Sequence, residues 1–115
     1  MDILNKRTMK LLFCVRKAVS FWSKAKGLML SPAHPLLMCF KKPRRSSLHT
    51  WFVFFNLQIY YLDCSGKVVE KTSMTPFSYY VPQKAACFVL EVPQAENFPA
   101  MCGDVLVFVS SSFEH

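Results

Sequence analysis

The stretch from Ser46 to Lys71, SSLHTWFVFFNLQIYYLDCSGKVVEK, is the densest apolar block in the chain, and its reading decides the fold. A membrane-spanning helix needs about 20 mostly apolar residues. The run WFVFFNLQIYYL, 51–62, is shorter and carries Asn56 and Gln58 inside it. Its aromatic and β-branched composition favours strand over helix. At a period of two, Trp51, Val53, Phe55, Leu57, Ile59 and Tyr61 form one continuous apolar face. Thr50, Phe52, Phe54, Asn56, Gln58, Tyr60 and Leu62 form a mixed face, expected to be partly covered. A straight strand over the thirteen residues 50–62 would span roughly 43 Å at about 3.3 Å per residue. A domain of about 100 residues has a radius of gyration near 13 Å. The strand is therefore expected to curve or break, with Asn56, a poor strand former, as the break.

The turn that follows is DCSG, 63–66, in which the Asp63 carboxylate can cap and Gly66 can take positive φ. KVVEK returns as the partner strand. Further out, TMKLLFCV (8–15) predicts a first strand, AVSFWSKAKGLML (18–30) a short helix, and LLMCF (36–40) a short buried strand. KKPRRSS (41–47) reads as a basic loop and TPFSYYVPQ (75–83) as an irregular segment punctuated by proline. ACFVLEV (86–92) is a strand and CGDVLVFV (102–109) a turn with a closing strand. No internal repeat or interdomain linker interrupts the pattern. The expected fold is mainly β: a single compact domain, 1–115, with a strongly curved or barrel-like sheet of six or seven short strands and one short helix near the N-terminus.

A chain of 115 residues with 52% hydrophobic and 18% charged residues has material for one core and does not read as disordered. The net charge of +7 is unevenly spread. Residues 1–50 carry 11 Lys/Arg against one acid, and residues 51–115 carry 3 against 6. A basic first half suggests an anionic partner, nucleic acid first and an anionic membrane surface second. The five cysteines (Cys14, Cys39, Cys64, Cys87, Cys102) are widely spaced and most stand in apolar company, so buried free thiols are expected. Their spacing suggests no zinc site. The early apolar run LLFCV, 11–15, is too short for a secretory core, which needs about 7–15 residues. A cytoplasmic protein without a membrane span is expected.

Four segments in order carry a family resemblance. They are AKGLML at 25–30, HTWFVFFNLQIYYLDCSGKVVEK at 49–71, PFSYYVPQKAACFVLEVP at 76–93 and CGDV at 102–105. Together they resemble the domain-of-unknown-function 192 family over roughly residues 18–108, and HTWFVFF is similar to its archaeal-type members. The family often has proline and aspartate where Asn56 and Gln58 stand here, so no role of that aspartate carries over. The resemblance implies a small, mainly β domain and no particular reaction.

Among chemistry-bearing residues, the basic segment is the most distinctive. Lys41, Lys42, Arg44 and Arg45 stand beside His49 and Phe52, and arginine forks with aromatic faces suit phosphates and bases. A non-enzymatic binding or interaction domain with this anion-binding face is the expected function. An exposed aromatic face on Phe52, Phe54 and Tyr60 would instead suit a second copy or a protein partner. The alternative is a small enzyme or ligand-binding barrel using His49, Asp63 and Glu91 around a pocket. Taken singly, Asp63 and Asp104 suit turn stabilisation, and Glu91 a solvent-facing or cation-paired carboxylate. Nucleotide-loop and metalloprotease motifs are absent, and no cofactor or metal is expected.

Overall fold

The computed structural model describes residues 2–13, 15–18, 35–45, 47–49, 55–96 and 98–109. These form ten strands: β1 Asp2–Asn5, β2 Lys10–Phe13, β3 Val15–Ala18, β4 Leu36–Arg44, β5 Leu48–His49, β6 Leu57–Leu62, β7 Val68–Met74, β8 Tyr79–Tyr80, β9 Ala86–Pro93 and β10 Leu106–Val109. No helix occurs among the described residues, and the expected helix lies outside them from residue 19 onward. No described helix is long and apolar enough to cross a membrane.

The mainly β expectation holds, but the curled or barrel-like sheet does not. The strands divide into a three-stranded sheet ordered β10-β1-β2, a five-stranded sheet ordered β3-β4-β9-β6-β7 and a two-stranded pair β5-β8. None closes on itself, and the strand count exceeds the expected six or seven. The physical reason lies in β6. It starts immediately after Asn56 and stops before Asp63, so it is six residues long. At about 3.3 Å per residue it needs only roughly 20 Å, which fits principal extents of 32 × 29 × 25 Å without curling. β6 begins just after Asn56, the residue expected to break the strand, and the stretch before it, 50–54, lies outside the described residues.

All pairings in the five-stranded sheet are antiparallel except β3 with β4. β9 sits at its centre, with Leu36, Glu91 and Ile59 in one cross-strand row and Met38, Val89 and Tyr61 in the next. Alternation along the strands separates two apolar clusters. Leu37, Tyr60, Leu62, Leu90 and Val92 meet Ile3, Leu12 and Leu106 of the three-stranded sheet. Leu36, Met38, Leu57, Ile59, Tyr61 and Val89 point to the opposite face, where Leu48 and Tyr80 of the β5-β8 pair join them. Burial on both faces explains why β6 reads as an almost continuous apolar run. Each such aliphatic side chain contributes about 1.5–3 kcal/mol.

The β6–β7 turn forms as its residues dictate. Asp63 Oδ1 accepts from the Ser65 and Lys67 amides, both at 2.9 Å, and from the Ser65 hydroxyl at 2.6 Å. Those bonds, led by the hydroxyl and opposed by partial burial, hold the Asp63 carboxyl below its ordinary value. Gly66 has φ +90°, and a Cβ there would lie 2.5 Å from the Leu106 carbonyl oxygen. Glycine is thus required for backbone geometry and for close approach of the two sheets. The Leu106 amide donates to the Gly66 carbonyl, and the Val68 amide to that of Asp104.

Two expectations fail around this turn. Cys64 and Cys87 are disulfide-bonded, with Cα atoms 5.0 Å apart, rather than free. Cys39 and Cys102 are free thiols, and Cys14 lies outside the described residues. The basic segment is not a loop throughout: β4 runs on to Arg44, with its register against β9 shifting between Cys39 and Arg44.

Candidate functional site

The far end of β4 carries the basic residues named from the sequence. Lys42, Arg44 and Arg45 are all exposed. Lys41 belongs to β4, and the backbone of His49 pairs with Tyr79 across β5 and β8. Phe52 lies outside the described residues. The Arg44 guanidinium stands over the Phe40 ring, 5.3 Å from its centroid. Arg45 Nε donates to the Pro82 carbonyl at 3.0 Å, which ties the end of β4 to the segment after β8. Lys84, exposed, precedes by two residues Ala86, the register partner of Arg44. Tyr79 and Val81 are exposed on the adjoining segment. Among the described residues, no carboxylate pairs with Lys42, Arg44 or Arg45; the recorded ion pair is Arg7 with Asp104. Tyr60, on the mixed face whose exposure would have suited a protein partner, is buried and donates to the Phe98 carbonyl.

Beside the basic end lies an acid that is fully engaged. Glu70 accepts from the Tyr80 hydroxyl and from the Gln83 and Lys84 amides, both at 3.0 Å. Burial opposes ionisation of Glu70, but these donors outweigh it and its carboxyl lies below the ordinary value. The same bond to Glu70 raises the Tyr80 phenol.

The three residues of the alternative pocket do not share one environment. Asp63 is spent on its turn. Glu91 is not solvent-facing, and among the described residues no cation pairs with it; it is buried on the Tyr61 face, and that burial pushes its carboxyl up to about 7. The Tyr61 hydroxyl on the same face is buried without a hydrogen-bond partner. Its phenol is raised first by burial and then by Tyr80, Glu70 and Glu91.

Asp104 is more than a turn residue. Oδ1 takes Arg7 Nε at 2.7 Å, and Oδ2 takes Asn5 Nδ2 at 3.0 Å and the Met101 amide at 2.9 Å. The Arg7 bond leads in lowering its carboxyl to about 2, against burial. Sequence reasoning missed Asn5 and Arg7 because their partner lies at the other end of the chain. It missed Tyr61 because a tyrosine in an apolar face reads as core.

The chain matches the family model DUF192, described as "Uncharacterized ACR, COG1430", over residues 3–99. It belongs to the DUF192 family. Its DUF192 relatives include a UPF0127 protein of Pyrococcus abyssi, 34% identical over 82 residues, covering 69% of this chain and 70% of that protein. One from Pyrococcus horikoshii is 31% identical, covering 70% and 72%. Another from Thermococcus sibiricus is 30% identical, and the match spans 69% of this chain but only 54% of that longer protein. The DUF192 fold also matches a crystal structure of a protein of unknown function from Novosphingobium aromaticivorans. That likeness has a TM-score of 0.78 at 15% identity and covers 93% of this chain and 82% of the other. A structure from Sinorhizobium meliloti has a TM-score of 0.75 at 16% identity and covers 92% and 89%.

Proposed function

We infer that this DUF192 protein is a binding domain whose basic end takes an anionic partner, with single-stranded nucleic acid the best chemical fit. Lys42, Arg44, Arg45 and Lys84 supply the charge, and Tyr79, 65% exposed, supplies a ring on which a base can stack. Lys41, His49 and Phe52 belong to the same stretch of chain. The observation that carries the reading is the state of the two arginines. Each is positioned by an uncharged partner, the Phe40 ring or the Pro82 carbonyl, and among the described residues no carboxylate compensates either charge. Phosphate is the natural ligand for such preset guanidinium forks.

The test is fluorescence anisotropy of mixed-sequence single-stranded RNA across a salt series. Each phosphate contact should add about −0.7 to the slope of log K against log salt. The double variant Arg44→Glu, Arg45→Glu should keep its circular dichroism spectrum and lose binding. An absence of binding at low salt, or equal binding by the variant, rejects the reading. A second reading, a protein partner or second copy docking on Tyr79 and Val81, rests on their exposure. Concentration-dependent mass by light scattering, abolished by Tyr79→Ser, would favour it.

A further inference from the structure

The three-stranded sheet turns one face to the core and the other outward. By register, Ile3, Leu12 and Phe108 form a cross-strand row, and that row packs into the core. The next row, Leu11, Leu4 and Val107, points the other way by alternation. It is apolar throughout. Leu11 is 64% exposed, and Leu4 and Val107 are half-buried. Val109, two residues beyond Val107 on the same face, is also exposed.

This outer row runs into the turn between β1 and β2. Met9, in that turn, is 69% exposed, and Lys6, Arg7 and Lys10 around it are exposed as well. The turn is fixed in place. The Met9 amide donates to the Asn5 carbonyl at 2.7 Å, and the Lys6 amide to the Val105 carbonyl at 3.1 Å. Arg7 donates to one oxygen of Asp104, whose other oxygen takes the Met101 amide. These bonds bring a second exposed methionine, Met101, to the same end of the molecule. Asp104 is matched by Arg7, and Asp2 lies at the opposite end of β1, so the turn is cationic as well as apolar.

The charge and the shape select the occupant. A second copy would bring an identical cationic turn against this one in a two-fold contact. A folded protein partner needs about 800 Å² on each side, whereas the exposed apolar groups here are few and gathered at a turn. An anionic lipid surface asks for less. A few apolar side chains enter the headgroup layer, and lysine and arginine stems lie along them with their charges among the phosphates.

We propose that the β1–β2 turn and the outer face of the three-stranded sheet form a peripheral docking surface for an anionic lipid bilayer. Met9 and Leu11 enter the headgroup layer, and Lys6, Arg7 and Lys10 meet the lipid phosphates. The surface is formed by other strands than the basic end of β4 and does not rest on the nucleic-acid reading.

The test is sedimentation of the full chain with vesicles of phosphatidylcholine alone or of phosphatidylcholine mixed with phosphatidylglycerol. Binding is expected only to the mixed vesicles and should weaken as salt rises. The double variant Met9→Asn, Leu11→Thr removes the apolar contribution. Asparagine suits the left-handed φ of 59° at Met9 and threonine suits a strand, so an unchanged circular dichroism spectrum is expected. This variant should bind mixed vesicles about tenfold more weakly or worse. Lys6→Gln, Lys10→Gln should weaken binding by roughly tenfold, whereas Arg44→Glu, Arg45→Glu should keep most of it. A second measurement uses the unaltered chain: in two-dimensional NMR with bicelles carrying a spin-labelled lipid, signals of residues 6–11 should broaden most. No binding to mixed vesicles at low salt, equal binding by Met9→Asn, Leu11→Thr, or broadening centred on residues 42–45 overturns the proposal. Binding to soluble polyglutamate as tight as to mixed vesicles would mark an acidic protein partner and overturns it too. Met9→Asn, Leu11→Thr should leave the RNA anisotropy of the unaltered chain unchanged, so the two readings fail separately.

Discussion

Asp104 and Glu91 are both carboxyl groups with little solvent exposure, and they sit on opposite sides of the five-stranded sheet. Asp104 lies in the seam with the three-stranded sheet, where Arg7, Asn5 and the Met101 amide fill its oxygens. Glu91 lies among Leu36, Ile59 and Val89, with no ion pair among the described residues. The same side-chain chemistry is therefore driven in opposite directions, Asp104 to about 2 and Glu91 to about 7. Burial acts on both; the donors decide the sign. The acid in the seam between the sheets is held by donors, whereas burial governs the acid on the other face.

The most severe way to break this contrast is to remove the satisfied acid. Asp104→Ala strands Asn5 and the Met101 amide and leaves Arg7 without its counter-ion. We expect a loss of roughly 3–5 kcal/mol in urea unfolding, and a loss under about 1 kcal/mol would show the seam to be ornamental.

Next in size is Glu91→Gln, which should stabilise. The folded-state acidity of Glu91 is raised, so the folded protein holds a proton that the unfolded chain releases above about pH 4.5. Its cost to stability is absent below that pH, grows up to about 7 and is constant beyond. Glutamine should therefore gain on the order of 3 kcal/mol at pH 8 and nothing near pH 4. Asp104 works the other way: its contribution is full above the ordinary carboxylate range and is lost as pH falls through about 2. Stability of the unaltered protein is expected to peak near the acid side of neutrality, and Glu91→Gln should carry that plateau to pH 8. Urea midpoints from pH 2 to 9 test both arms.

The smallest effect is expected from Tyr61→Phe, which deletes only the orphaned hydroxyl. A gain of about 1 kcal/mol is expected. A loss would mean that the hydroxyl has a partner after all, and would narrow the contrast with Asp104.

Local features were the legible ones. The Asp63–Gly66 turn, the return strand, β9 and β10 follow from neighbouring residues, and the limit at Asn56 follows from strand chemistry. The family, too, was carried by segments in the right order. What depends on distant partners was not legible. β1 is four residues long and finds β10 only at the far end of the chain. Cys64 and Cys87 are 23 residues apart within an odd set of five, so no spacing rule joins them. Glu91 interrupts an apolar run, which reads as solvent-facing by alternation; only the two apolar clusters, one on each side of the sheet, show that both faces of β9 are covered. The basic segment was legible as charge, but the anchors that aim its arginines, Phe40 and Pro82, were not.

The Cys64–Cys87 bond closes a covalent ring around β7, β8 and the exposed stretch from Thr75 to Lys84. A protease that cuts within this stretch opens the backbone without dividing the molecule. The nicked protein would migrate as one species without reductant and as two with it. Continuity of this region thus resides in a sulfur bond as much as in the peptide chain, and the surface bearing Tyr79 and Lys84 can be severed at a point while both cut ends stay tethered to the sheet.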